Sequence, residues 1–359
     1  MTDRSGDATP SLPVVLSDEH RTHDPAFELN AGEAVSPVYE RPERLDAIAA
    51  AVRGAGWPTV PALRHDPSRL RAVHDPDMIS FLQGGYDAWR RDGGPEVMIP
   101  DTFRSPRWAA GGRPSASPRA QAGWWCFDTA TPIVEGSYGA ARAAVDVALT
   151  AADLVADGAP IAYGMTRPPG HHAGYDYFGG FCFFNHAAAA AHRLTDGGRV
   201  AVLDIDVHHG NGTQDLFWRD PEVLYVSLHG DPHHAYPYFS GFSDEVGEGP
   251  GRGRTRNLPL RPDTSDVDYL RALTTALDVI EDFDPATVVV SLGFDTSEHD
   301  PIGSLAVTID GLASIGRRIG QLDRATLLLQ EGGYAVEHLG AMAAALLNGV
   351  LAPKGPAGM

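Results

Sequence analysis

The sequence has little cysteine, little positive charge and no long hydrophobic run. Only Cys126 and Cys182 occur in 359 residues, too few for a disulfide framework or a cysteine-rich zinc site, so any metal must be held by histidines and carboxylates. No apolar stretch approaches the roughly 20 residues that cross a bilayer. Residues 1–12 lack the basic start and apolar centre of a targeting peptide. We therefore expect a cytoplasmic protein without membrane association, with residues 1–12 as a flexible tail.

The scarcity of basic residues bears on possible partners. Lys and Arg number 28 against 47 Asp and Glu, which gives a formal charge of −19. A field of that sign repels phosphates and attracts cations, so it argues against nucleic acid and weakly favours a cationic substrate. An acidic surface that serves only solubility is the alternative explanation of the same charge.

Continuous apolar runs alternate with helical patterns along the chain. Unbroken apolar strands are typical of a parallel sheet that is covered on both faces. The pattern predicts a single α/β domain over residues 13–351, with a doubly wound sheet. The predicted strands are 13–17, 161–165, 200–206, 223–229, 287–293 and 325–332, and the predicted helices begin at Pro42, Tyr138, Phe184, Val267 and Val336.

The segment from Gly93 to Trp125 departs from this alternation. It is rich in Pro, Gly, Ser and Arg and has no hydrophobic period, so it predicts a long loop. Loops of this length inside a compact domain are usually functional or disordered. We assign Trp124 and Trp125, at its end, to substrate binding.

Ligand-type side chains follow several of the predicted strands. The segment "DIDVHH" places Asp206 and His208 two residues apart, which in a strand points both side chains to one face. Asp295 follows a second strand, and ligands bind at the carboxyl ends of strands in open α/β sheets. Three protein ligands with an open fourth position are typical of a catalytic metal site. Zn²⁺ fits this donor set, and Fe²⁺ or Co²⁺ are accepted alternatives.

Groups suited to proton transfer accompany these ligands. His171 and His172 form a tandem pair in "RPPGHHA", and Asp204 and Asn211 are acceptors that could orient the far nitrogens of the pair. Tyr334, after the Gly-Gly step of "EGGY", is the right type of donor for a carbonyl oxygen that gains negative charge. Each feature alone is weak, but together they supply what metal-assisted amide hydrolysis requires.

Five motifs resemble those of the zinc-dependent histone deacetylases and acetylpolyamine amidohydrolases. They are "RPPGHHA", "GFCFFN", "DIDVHHGNGTQ", "GFDTSEHDP" and "EGGY", in the order of that family and spread between residues 14 and 350. The resemblance implies the arginase-deacetylase fold, with an eight-stranded parallel sheet. It also implies the roles already given to the residues above, with His172 as general base.

The resemblance adds residues that the pattern alone does not indicate. It places Gly180 and Phe181 in one wall of an acyl-lysine tunnel and Phe239 in the opposite wall. It further implies a structural potassium ion near the ligand-bearing strand, held by Asp204, Asp206, His208, Ser227 and Leu228.

The nearest branch by resemblance is that of the acetylpolyamine amidohydrolases. "SLHGDP" and the 93–125 segment support it, and the resemblance implies a homodimer formed through that segment, with small acylated amines as substrates. Where this branch places carboxylates for a distal ammonium, the sequence has Arg119 and Ala130, and residues 102–127 contain no acidic residue but include Arg104, Arg107 and Arg113. Polyamine selectivity therefore stays open.

Three alternative functions fit parts of the same pattern. A protein lysine deacetylase of the histone type would use the same site, and a non-catalytic sensor of acylated amines would keep the pocket without turnover. Arginase-like hydrolysis needs a second metal, and the sequence offers Gly210 and Ser297 where its additional carboxylates would stand.

Overall fold

A computed structural model describes residues 12–30, 32–105, 112 and 114–354. The predicted tail lies outside the described residues except for Leu12, which is fully buried and so belongs to the core rather than to a tail. Arg107 and Arg113 also lie outside them. No helix among the described residues is long and apolar enough to span a membrane.

The centre of the molecule is a sheet of eight parallel strands, as the resemblance implied. The described strands are β1 (Val14–Leu16), β2 (Glu28–Asn30), β3 (Glu33–Val35), β4 (Thr59–Pro61), β5 (Ile161–Gly164), β6 (Val200–Asp204), β7 (Val223–Gly230), β8 (Thr255–Leu260), β9 (Thr287–Leu292) and β10 (Ala325–Gln330). The strand order of the sheet is β4-β1-β5-β10-β9-β6-β7-β8, and β2 pairs with β3 in a separate antiparallel ladder.

Helices cover both faces of this sheet. Successive residues of β6 alternate between two hydrophobic cores: Val202 belongs to the same core as Ala188, and Leu203 belongs to the same core as Leu273. This alternation follows from the period of two along a strand. The described helices are α1 (Glu43–Ala55), α2 (Pro67–Arg71), α3 (Pro76–Arg91), α4 (Pro118–Trp125), α5 (Ser137–Ala156), α6 (His186–Leu194), α7 (Asn211–Leu216), α8 (Asp266–Phe283), α9 (Ile309–Gly320) and α10 (Val336–Val350).

The apolar runs correctly predicted the six strands that lie inside the sheet. They did not predict the two edge strands, β4 and β8. Strand β8 includes the exposed Arg256 and also Pro259, and β4 ends at Pro61, so neither gives a continuous apolar run. Edge strands commonly carry proline and charge, because one side has no strand to pair with. The edges of a doubly wound sheet are therefore its least visible part in sequence.

The 93–125 segment is not loop throughout, which corrects the prediction. Residues 118–125 form α4, which begins at Pro118, a residue favoured in the first turn because it lacks the N–H that would go unpaired there. Trp125 is 5% exposed and belongs to the core, and Arg104 N–H donates to Gly123 O across the segment. The segment therefore ends in an anchored helix that leads directly to Asp128.

Candidate metal centre and active site

Asp206, His208 and Asp295 converge at the carboxyl end of the sheet. They are the one group of potential metal-binding side chains found among the described residues, with one donor atom from each within 4.8 Å of the others. His208 Nδ1 lies 3.2 Å from Asp206 Oδ1 and 3.3 Å from Asp295 Oδ2. Because Asp206 and His208 follow β6 in a bend, strand alternation does not bring them together. Asp206 Oδ1 instead accepts a 2.9 Å bond from the His208 N–H, which folds the bend.

The chemistry of this triad fits a divalent cation. Asp206 and Asp295 are 1% and 0% exposed, and Asp295 Oδ2 has no hydrogen-bond partner although it is buried. Burial, and then the neighbouring Asp206 carboxylate, raises the pKa of Asp295 well above its usual range. Two buried carboxylates are stable together as anions only if a positive charge compensates them, and a bound divalent metal ion would supply that charge.

The tandem histidines lie beside the triad, each held by a different acceptor. His171 Nδ1 is 3.1 Å from Asp204 Oδ2, and His172 Nδ1 is 2.7 Å from Asn211 Oδ1. Asn211 is the first residue of α7, so that helix fixes its position. The His172 ring centre is 6.0 Å from that of His208. The structure therefore brings together both histidines and both predicted acceptors.

The two histidines titrate in opposite directions. Burial opposes the charge on His171, but the carboxylates of Asp206 and Asp204 outweigh it and raise its pKa to about 10. Burial, followed by the positive charges of His171 and His208, holds the pKa of His172 well below its usual range. A pair whose pKa values are pushed apart provides a charged member and a neutral member, as acid and base chemistry requires.

Tyr334 is placed by a loop that two charged side chains, Asp300 and Arg44, hold. Its backbone N–H donates a 2.6 Å bond to Asp300 Oδ2, and Arg44 donates to the carbonyls of Gly333 and Glu331, at 2.6 Å in each case. The Arg44 guanidinium also lies 4.6 Å from the centre of the Tyr334 ring. Burial raises the pKa of Tyr334 well above its usual range, so the phenol remains an O–H donor.

The left-handed turn at Gly180 and Phe181 lies against His172. A Cβ at Gly180 would come within 2.3 Å of His172 Cδ2, and its φ of +58° also favours glycine. The Phe181 ring centre is 5.5 Å from that of Tyr334. This turn thus adjoins both His172 and Tyr334, and its role as a tunnel wall stays a prediction.

Phe239 is exposed, and Tyr236 is the aromatic residue of this loop that lies beside the histidines. Phe239 is 91% exposed and its ring stands beside that of Tyr238. The Tyr236 ring centre lies 5.0 Å from that of His172 and 6.1 Å from that of His208. The prediction of Phe239 as the inward ring is wrong, because nothing in the sequence "AYPYFSG" shows which of its aromatic rings turns inward.

Trp124 and Trp125 line a cavity of about 610 Å³ together with Phe127, Tyr177 and Asn211. Asn211, which orients His172, connects this cavity with the tandem histidines.

Two of the potassium-site candidates lie in the strand next to Asp204. Ser227 pairs with Asp204 in the β6–β7 ladder, and Leu228 follows it in β7.

The arginase-like alternative has no room for its second ligand set. A Cβ at Gly210 would lie 2.3 Å from Asp204 Oδ2, so a carboxylate side chain there would collide with the acceptor of His171. Ser297 occupies the other position. The described residues can therefore form a site for one metal ion.

Comparisons with known proteins agree with this geometry. The histone deacetylase domain family matches residues 38–350. The acetylpolyamine amidohydrolase of Mycoplana ramosa is 40% identical over 340 residues, which cover 94% of this chain and 99% of that protein. Acetylpolyamine amidohydrolase 1 of Pseudomonas aeruginosa is also 40% identical over 340 residues, with 93% and 97% covered.

Solved structures show the same relationship. A crystal structure of the acetylpolyamine aminohydrolase from Burkholderia pseudomallei aligns with a TM-score of 0.90 at 38% identity, covering 96% of this chain and 100% of that one. The HDA15 HD domain aligns with a TM-score of 0.78 at 30% identity, covering 95% and 91%. The chain therefore belongs to the histone deacetylase family and is a deacetylase that acts on acetylated amines.

Proposed function

We propose that this deacetylase uses one zinc ion per chain to remove acetyl or short acyl groups from small amines such as acetylpolyamines. One observation carries the proposal: the convergence of the Asp206, His208 and Asp295 donors beside two oriented histidines and a buried tyrosine. The names of the relatives from Mycoplana ramosa and Pseudomonas aeruginosa support the substrate class.

The three triad residues would hold the metal. Zinc bound by two carboxylates and one imidazole lowers the pKa of water and polarises a carbonyl oxygen. Iron(II) or cobalt(II) would be held by the same donors.

The side chains around the triad manage protons. His172 donates its Nδ1–H to Asn211 Oδ1, which leaves Nε2 to accept a proton from the water that attacks the substrate carbonyl. Tyr334 donates its O–H to the carbonyl oxygen as negative charge develops. The protonated histidine of the pair then gives a proton to the amine as the C–N bond breaks.

A kinetic panel tests the substrate class. It compares acetylated diamines, acetyl-lysine peptides and longer acyl amides on fully metallated protein. We expect the highest kcat/KM for acetylated diamines. A preference for peptides would favour the protein lysine deacetylase, and no turnover of any member would favour the sensor.

Two further features belong to this proposal. We infer a homodimer through residues 93–125, supported by the apolar rings of Phe103, Trp124 and Phe127 at the cavity there. A monomeric mass at micromolar concentration would contradict it.

We also infer a potassium ion at Asp204, Asp206, His208, Ser227 and Leu228. The buried hydroxyl of Ser227, which lies beside Asp204, supports this site. Activity that is independent of potassium would count against it.

A further inference from the structure

A single carboxylate joins the two sides of the tunnel. Asp128 Oδ2 accepts a 2.7 Å bond from the Gly180 N–H and a 2.8 Å bond from the Tyr236 O–H. Gly180 belongs to the turn beside Tyr334, and the Tyr236 ring lies beside His172. No other described carboxylate bonds to both of these segments, which are 56 positions apart in the sequence.

The second oxygen of Asp128 extends the same connection. Asp128 Oδ1 accepts from the Ala130 N–H at 3.2 Å and from the Thr131 hydroxyl at 3.0 Å. The oxygen of Thr131 in turn accepts a 2.9 Å bond from the Phe181 N–H. The side chains of Asp128 and Thr131 therefore hold both backbone amides of the left-handed turn.

The segment that carries Asp128 is itself anchored. The Phe127 N–H donates to Phe178 O at 3.0 Å, and the Phe178 N–H donates to Trp125 O at 2.8 Å. These bonds fix the chain just after α4 to the chain just before Gly180. The backbone that precedes Asp128 is therefore fixed to the backbone that precedes Gly180.

We propose that Asp128 is a specificity-determining positioning residue, which sets the separation of the Gly180–Phe181 turn and the Tyr236 ring. The proposal rests on the proposed function, since it concerns passage of an acylated amine between these walls. Fixed walls admit an unbranched chain and exclude a branched one. A wall free to move by a few tenths of an ångström would relax that exclusion, as hydrophobic pockets discriminate by single methyl groups.

Asp128→Asn breaks this connection with almost no change in size. Both carboxylate oxygens face donors, and the Gly180 and Ala130 donors are backbone N–H groups that cannot reverse. An amide in either orientation sets its own NH₂ group against one of these N–H groups. The substitution therefore releases one end of the connection whichever way the side chain turns.

The experiment measures selectivity rather than activity alone. The substrates are an acetylated unbranched diaminobutane and its analogue with a methyl branch on the carbon next to the amide nitrogen. We expect Asp128→Asn to lower the ratio of kcat/KM for unbranched over branched substrate by about tenfold. Asp268→Asn is the matched control, because Asp268 is an exposed carboxylate that pairs with Arg271 on α8, outside the site and the 93–125 segment. Its ratio should equal that of the wild type.

The outcomes separate this inference from the proposed function. General destabilisation would lower kcat/KM for both substrates and leave their ratio unchanged. An unchanged ratio in folded, metal-loaded Asp128→Asn protein would overturn the role of Asp128. If that variant does not fold, Tyr236→Phe provides the test, since it removes only the hydroxyl that donates to Asp128. We expect about a threefold fall in the ratio of kcat/KM values, and no change in this ratio would overturn the proposal. Failure of the wild type to hydrolyse the unbranched substrate would instead refute the proposed function.

Discussion

The N–H of Gly332 donates a 2.8 Å hydrogen bond to Asp206 Oδ2. This bond joins the loop that presents Tyr334 to a ligand of the triad. The same glycine packs so closely on the triad that a Cβ there would lie 2.1 Å from Asp295 Oδ2 and 2.6 Å from Asp206 Oδ2. The "EGGY" motif therefore supports the metal site as well as the tyrosine.

Gly332→Ala should weaken metal binding without removing any ligand. The added methyl group would displace the carboxylates of Asp206 and Asp295, and disturbing the support of metal ligands typically costs about 10- to 100-fold in affinity. A chelator competition titration with zinc measures the effect. Gly54→Ala in α1 is the control, because a Cβ there meets nothing within 4 Å and should leave the affinity unchanged. Equal affinities in the two variants would show that the packing of Gly332 is not critical.

Tyr334→Phe should lower kcat by about 10²-fold or more, since loss of one oxyanion donor has effects of that size. The ring and its contact with Arg44 remain, so metal content and thermal stability should stay close to those of the wild type. Tyr175→Phe, which removes a hydroxyl from a tyrosine that is 46% exposed, should behave as wild type. Near-normal turnover of Tyr334→Phe would refute its assigned role.

His74 should make the protein less stable as the pH falls. Its ring is fully buried, with Nδ1 2.8 Å from Gly174 O and Nε2 accepting a 2.8 Å bond from the Asn185 N–H. Burial lowers the pKa of His74 from 6.5 to about 4 in the folded state. The unfolded chain therefore binds a proton at higher pH, and the contribution of the neutral ring is complete above pH 6.5 and is lost as the pH falls towards 4.

Denaturant unfolding at pH 7 and pH 5 measures this contribution. Because one pKa unit corresponds to about 1.4 kcal/mol, the interval from 6.5 to 5 should cost roughly 2 kcal/mol through His74. In His74→Gln, which cannot titrate, the loss of unfolding free energy between the two pH values should be smaller by about that amount. The comparison isolates His74 from other buried histidines such as His20 and His23. Equal losses in both proteins would contradict the prediction.

Much of the site was visible in the sequence because its residues follow inner strands. Asp206, His208 and Asp295 stand directly after apolar runs, and the order of the strand ends brings them to one edge. Asn211 could be named as an acceptor because it lies in the same motif as His208. Local chemistry and parallel topology were sufficient for these residues.

The supporting residues were not visible, because their partners are distant along the chain. Arg44 holds carbonyls 287 and 289 positions away, and Asp128 bonds to segments 52 and 108 positions away. A lone arginine in an amphipathic helix, or a lone aspartate after a short helix, carries no local pattern that separates it from a surface charge. The choice between Tyr236 and Phe239 likewise depended on how one loop turns.

Metal content tests the central claim, that Asp206, His208 and Asp295 hold one divalent ion. The purified wild type, Asp295→Asn and the surface control Asp101→Asn would each be dialysed against a weak chelator and analysed for bound metal. The account predicts about one ion per chain in the wild type and in Asp101→Asn, and less than about one-tenth of that in Asp295→Asn. Retention of a full ion by Asp295→Asn, or none in the wild type after zinc is supplied, would contradict it.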